Sequence, residues 1–217
     1  MSSDRRYHLK ARAARQQETR EHIIAATAAL HEEVGPARTT FAEIARRAGV
    51  QRLTVYNNFP VLKDLLGACQ GRFLAACPPP NIAPRGPREG LPARLEDGLC
   101  DLYRWYRANE HLERNVHRDR HLVPELDELM RQNADPPFAV AASAYAKVLT
   151  NDRRRREAVF RLLRVAMEFR TWDVLNGQGA TDREMAQLFR HSVSCISGTD
   201  TGSQAGRGLR GATVEPV

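Results

Sequence analysis

Lysine is almost missing from this 217-residue chain: Lys10, Lys63 and Lys147 stand among 33 Lys and Arg residues. The arginine bias reads as a mark of GC-rich coding more than of function. Long apolar runs are also missing. None approaches the ~18 residues of a membrane span. The N-terminus is basic and polar, with no hydrophobic segment to serve as a secretory signal, so a cytoplasmic protein is expected. Cysteine is sparse and scattered. Cys69, Cys77, Cys100 and Cys195 form no CxxC, which argues against a zinc site or a disulfide framework and for reduced, mostly buried thiols. No phosphate loop, GxSxG or HExxH occurs, so the chain is not expected to be an enzyme. No alternating strand pattern is present, which leaves an all-α fold.

What is there is organised around residues 39–59, TTFAEIARRAGVQRLTVYNNF. Thr40 and Glu43 fit a capping box: the hydroxyl accepts from the Glu43 N–H and the carboxylate reaches back to Thr40. Phe41, Ile44, Ala45 and Ala48 then share one helical face. Gly49 suits a left-handed helix end, and Val50 plugs the turn. A second helix over about 52–57 carries Leu53 and Tyr56 three apart. This is a helix-turn-helix, whose second helix is built to enter a DNA major groove. Charge agrees with that. Residues 1–77 hold 12 Lys and Arg against 7 Asp and Glu, a net +5 of the chain's +7. The positive field therefore lies where phosphates would be met.

Residues from about 17 to 77 resemble the DNA-binding domain of TetR-type transcriptional regulators. The resemblance rests on Arg20, Ile23, Ile24, Ala26, Leu30 and Gly35, then on Thr39, Thr40, Ile44, Ala45, Ala48, Gly49 and Val50. It continues through Thr54, Val55, Tyr56, Phe59, Lys63 and Leu66. Three positions depart from the family pattern: Gln51 stands where Ser is common, Asn58 where His or Tyr is usual, and His31 where Phe is common. The first two touch the reading of DNA.

Gln51, Arg52 and Asn57 carry groups that suit base edges, Arg52 for guanine and Gln or Asn for adenine. Leu53 is either core or a contact for a thymine methyl. The resemblance implies that Thr40, Thr54, Tyr56 and Lys63 face phosphates, which position the helix without reading sequence. The alternative for each is capping or packing. Residues 1–16, with Arg5, Arg6, Lys10, Arg12 and Arg15, form a basic arm, either a disordered terminus or a DNA contact.

A first helix is expected over about 17–33, ended by Gly35 and Pro36, and another over 62–77, stopped by Pro78, Pro79 and Pro80. Residues 78–92 read as an irregular boundary loop. The remainder is helical: a stripe of Leu95, Leu99, Leu102, Tyr103 and Tyr106, a helix near 110–121, one opened by Pro124 and broken at Asp135-Pro136-Pro137, and one over 138–149. A long helix over 153–175 is apolar on more than one face and must bury both. With a last helix over 182–196 it forms a candidate four-helix homodimer interface, which is also where the family dimerises; Leu162, Ala166, Phe169, Leu188, Phe189 and Val193 are its candidates. Residues 199–217 are rich in Gly, Ser and Thr and read as disordered.

The organisation expected is thus all-α: a three-helix helix-turn-helix domain over 17–77 and a larger C-terminal helical ligand-binding and dimerisation domain over 91–197. Aromatic and polar residues within that helical core, Trp105, Tyr106, Asn109, His117, His121, Phe138, Tyr145 and Met167, are pocket candidates, with ordinary core packing as the alternative for each. His117 and His121 share a helix face, but no third ligand is placed, so no metal and no cofactor is expected. The function implied is a dimeric, ligand-responsive repressor on a palindromic double-stranded operator with half-sites ~34 Å or somewhat more apart, released by a small molecule. Two rivals stand beside it: a DNA-binding regulator without a ligand, controlled by a protein partner or by DNA occupancy alone, and a helical scaffold or enzyme that has lost DNA binding.

Overall fold

The computed structural model describes residues 2–87 and 90–199. The reading of 199–217 as a disordered tail therefore lies, apart from Thr199, outside the described residues. Among those residues there are eleven α-helices, one 3-10 turn and no strand.

The first helix, α1 (Ser2–Glu33), is longer than the sequence suggested. No Gly or Pro interrupts residues 2–34, and the Ala, Arg, Lys and Gln residues of the basic arm propagate a helix readily. The arm is therefore a continuation of α1. A 3-10 turn (Pro36–Arg38) leads into α2 (Phe41–Ala48), α3 (Arg52–Asn58) and α4 (Leu62–Ala76). These four helices close on Ile23, Leu30, Ile44, Val55, Phe59 and Leu65, all buried. At roughly 1.5–3 kcal/mol for each large apolar side chain, this burial holds the small assembly together.

The irregular stretch after α4 sends Ile82 into the core of the remaining helices. These are α5 (Leu91–Ala108), α6 (Glu110–Asp119), α7 (Pro124–Asn133), α8 (Asp135–Leu149), α9 (Arg153–Ala166), α10 (Phe169–Gly177) and α11 (Asp182–Ser197). α5 and α11 pack on each other, and α9 lies against both α8 and α11. The helix opened by Pro124 ends at Asn133, just ahead of Asp135-Pro136-Pro137 as expected, but these three residues are the first turn of α8 rather than a gap before it. Proline is tolerated there because the first helical N–H groups have no intrahelical partner.

The long helix expected over 153–175 is two helices, with the chain turning at Met167 and Glu168. No Gly or Pro marks the site. The hydroxyls of Tyr103 and Tyr106 donate to the carbonyl oxygens of Ala166 and Met167, at 2.8 and 2.7 Å. Those carbonyls would otherwise continue the helix ladder. A third cluster, Leu66, Leu126, Leu129 and Met130, joins α4 to α7 and so links the N-terminal helices to the rest.

Candidate nucleic-acid interface

The turn between α2 and α3 is fixed by backbone chemistry. Gly49 adopts φ 68°, ψ 31°, the left-handed region that favours glycine. Val50 N–H donates to Ala45 O at 3.0 Å and Gly49 N–H to Arg46 O at 3.4 Å, the paired bonds of a Schellman ending. Thr40 caps α2 by accepting from Glu43 N–H at 3.2 Å. The other half of the expected capping box is not made. The Glu43 carboxylate takes the Arg46 guanidinium instead, and that hydrogen bond holds it below the usual carboxylate range. A complete capping box occurs elsewhere, between Thr181 and Glu184 at the start of α11.

α3 buries Val55 and directs Gln51, Arg52, Leu53 and Asn57 to solvent. Leu53 is 66% exposed, which removes it from the core and leaves it free to meet a base methyl. Arg52 Nη2 donates to the Tyr56 hydroxyl at 3.1 Å, and its guanidinium lies 5.5 Å from the Tyr56 ring centre. On the other side the Tyr56 ring meets Phe41 at 4.6 Å. Tyr56 is thereby braced from both sides while staying exposed. Thr40 is exposed and Thr54 half-buried. Gln51 makes no side-chain cap, so its amide is available to a ligand.

Two sequence expectations change at the rim. Asn58 does not face outward: its amide donates to Thr54 O at 2.8 Å within its own helix. Lys63 donates to Glu128 of α7 at 2.9 Å, so a phosphate would have to compete with a carboxylate. A residue matched only by resemblance turns out to position the site. Arg20 donates to Asn58 O at 2.7 Å and stacks its guanidinium 3.9 Å above the Phe59 ring, pinning the end of α3 to α1.

A clasp between the two groups of helices was not read from sequence at all. Asp119, at the end of α6 and 1% exposed, accepts from Ala37 N–H at 3.0 Å and from Arg118 at 2.7 and 3.1 Å. Arg118 also donates to Val34 O, and Asn115 donates to the carbonyls of His31 and Glu32. Burial alone would raise the Asp119 carboxyl, but the donations from Arg118 and Ala37 outweigh it and hold the group below its ordinary value. Gly35 sits against this pair at φ 94°, and a Cβ there would collide with Arg118 and Asp119. These partners lie more than eighty residues apart, so no local pattern announces them.

The residues expected to line a pocket in the C-terminal core are mostly packed. Tyr106, Tyr145 and Met167 are buried, Phe138 packs against the core, and Trp105 donates to Cys77 O while contacting Phe73 and Tyr106. Asn109 donates to Trp105 O. His117 stacks on Phe169 and pairs with Glu113 at 3.4 Å, whereas His121 is exposed beyond the end of α6. The two histidines do not converge, and among the described residues no three His, Cys, Asp or Glu side chains are grouped to hold a metal ion. Tyr145 borders an open cavity of about 170 Å³ with Arg94 and Asp97. A second cavity, of about 160 Å³, lies at the seam between α1, α2, α4 and Val123. Of the expected dimer residues, Ala166, Phe169, Phe189 and Val193 are spent in this chain's own core and Leu162 is half-buried. Leu188 is 53% exposed, and Val165 on the adjacent helix is 51% exposed. No described helix is long and apolar enough to cross a membrane.

Residues 23–69 match the family described as bacterial regulatory proteins, tetR family. The fold is similar to the crystal structure of a tetR-family transcriptional regulator from Streptomyces coelicolor, with a TM-score of 0.58 and 21% identity. That similarity covers 83% of this chain and 80% of the other. NalD of Pseudomonas aeruginosa, the secondary repressor of the MexAB-OprM multidrug efflux pump, aligns at 21% identity over 88% of this chain and 99% of its own, with a TM-score of 0.45. No curated protein matches the sequence.

Proposed function

By its helix-turn-helix domain this chain belongs to the TetR family of bacterial transcriptional regulators, and from that premise we propose that it is a ligand-responsive repressor acting as a dimer on a palindromic operator. The observation that carries the reading is α3 itself. Its inner face is locked by Val55, Phe59 and Arg20, while Gln51, Arg52, Leu53 and Asn57 project from a rigid frame into solvent. Arg52 and Tyr56 hold each other in place before any DNA arrives, which lowers the ordering cost of contact.

In this reading residues 17–77 bind DNA, with the helical arm before them adding basic side chains near phosphates, and 91–197 bind the effector and pair the subunits. The exposed Val165 and Leu188 on neighbouring helices supply the apolar surface for pairing. The effector favours an arrangement in which the two recognition helices no longer match their half-sites. The protein acts in the cytoplasm, on DNA beside its own gene.

The rival reading, control by a protein partner without a small molecule, gains from one observation. The core formed by Tyr106, Met167, Phe169 and Trp172 is filled by its own aromatic side chains. Footprinting on the intergenic DNA next to the gene tests the proposal, together with light scattering at micromolar concentration. A protected inverted repeat and a dimer mass support it. A monomer mass, or DNA binding that Arg52→Ala and Tyr56→Ala leave unchanged, would overturn it.

A further inference from the structure

The seam cavity lies beneath the first helix of the helix-turn-helix. Phe41 and Ile44 of α2 form one wall, Leu66 of α4 and Val123 before α7 another, and Thr27 and His31 of α1 with Thr39 before α2 contribute the polar side chains. The Thr27 and Thr39 hydroxyls are already used, donating to Ile23 O at 2.8 Å and to Gly35 O at 2.9 Å. His31 is different. It is 7% exposed, its backbone carbonyl accepts from Asn115, and its ring makes no hydrogen bond among the described residues. Burial also keeps it neutral, with its pKa lowered to about 4. A neutral imidazole offers one donor and one acceptor.

The volume, about 160 Å³, is enough to hold a single aromatic ring. We propose that this seam is an effector site, taking a small uncharged single-ring compound whose one hydroxyl or amide group bonds the His31 imidazole. The inference rests on the reading of the chain as a ligand-responsive DNA-binding regulator and adds, at the junction, a second small-molecule site to the one that reading places in residues 91–197. The placement explains how occupancy would be felt at DNA. Phe41 lines the cavity and also supports Tyr56, 4.6 Å away. Val123 caps α7, whose Glu128 holds Lys63. A bound ring therefore touches the supports of two phosphate-facing residues at once.

Phenol is the test compound and benzene its apolar control, followed through the methyl NMR signals of Ile44, Leu66 and Val123. Saturable one-to-one phenol binding is expected to shift these methyls. His31→Leu should weaken phenol about tenfold while leaving benzene unchanged. Val123→Phe, which fills the cavity from the half-buried side, should abolish both. Silent seam methyls under saturating phenol, or phenol affinity unchanged by both variants, would overturn the site. None of these readouts requires DNA. A chain that binds phenol at the seam but protects no DNA would overturn the regulator reading alone; one that protects DNA with silent seam methyls would overturn the site alone.

Discussion

The hydroxyl of Tyr106 donates to the carbonyl oxygen of Met167 across 2.7 Å, and Tyr103 does the same for Ala166 one residue earlier. These two phenols, on successive turns of α5, take the carbonyls at which α9 ends and α10 begins. A polar contact between helices some sixty residues apart thereby decides where a helix stops.

Tyr106→Phe removes the donor and leaves a buried carbonyl unpaired. The expected loss is about 1–3 kcal/mol. In a domain of this size, thermal unfolding should fall by roughly 2–4 °C for each kcal/mol. An unchanged melting temperature would mean that the turn is held by packing of Phe169 and Trp172 alone.

Lys63 should contribute a salt-sensitive contact that Glu128 restrains. Lys63→Ala is expected to weaken binding to all DNA sequences alike and to reduce the salt slope by about one for each protomer. Glu128→Gln frees the ammonium and removes a nearby negative charge, so it should tighten binding and steepen the slope. Titrations at several salt concentrations separate these outcomes.

Asp119→Asn keeps the size of the side chain but removes the charge that Arg118 and the Ala37 N–H address. We expect a loss of about 1.5–3 kcal/mol in urea unfolding. DNA affinity should fall as well, without a change in base preference, because the clasp holds the frame of the helix-turn-helix and touches no base. Gly35→Ala should act in the same direction, by steric collision with the same pair.

His31 gives stability a particular pH dependence. Its folded pKa is lowered from 6.5 to about 4, chiefly by burial, with Asp119 opposing the shift. On acidification the unfolded chain takes the proton first. Stability is then fully present above about pH 6.5 and lost as pH falls toward 4, by up to ~1.4 kcal/mol per pH unit. His31→Leu should flatten that interval. Urea midpoints between pH 4.5 and 7.5 check it, since the remaining carboxylate-dependent loss lies at the acid end for both proteins.

The sequence by itself determined the elements whose cause is local. Thr40, Gly49 and the spacing of Phe41, Ile44 and Ala45 were enough to draw the helix-turn-helix, because caps, left-handed glycines and amphipathic periodicity act within a few residues. The exposed face of α3 followed from the same spacing. Tertiary structure decided what depends on distant partners. The break after Ala166 has no Gly or Pro and exists because tyrosines arrive from α5. Ala166, Phe169, Phe189 and Val193 look like interface residues by pattern, yet a hydrophobic face does not state which surface will cover it, and their own core did. The Asp119 clasp, the restraint of Lys63 by Glu128 and the unbonded ring of His31 belong to the junction between the two helical groups. Their chemistry comes from residues that only folding brings within hydrogen-bond reach.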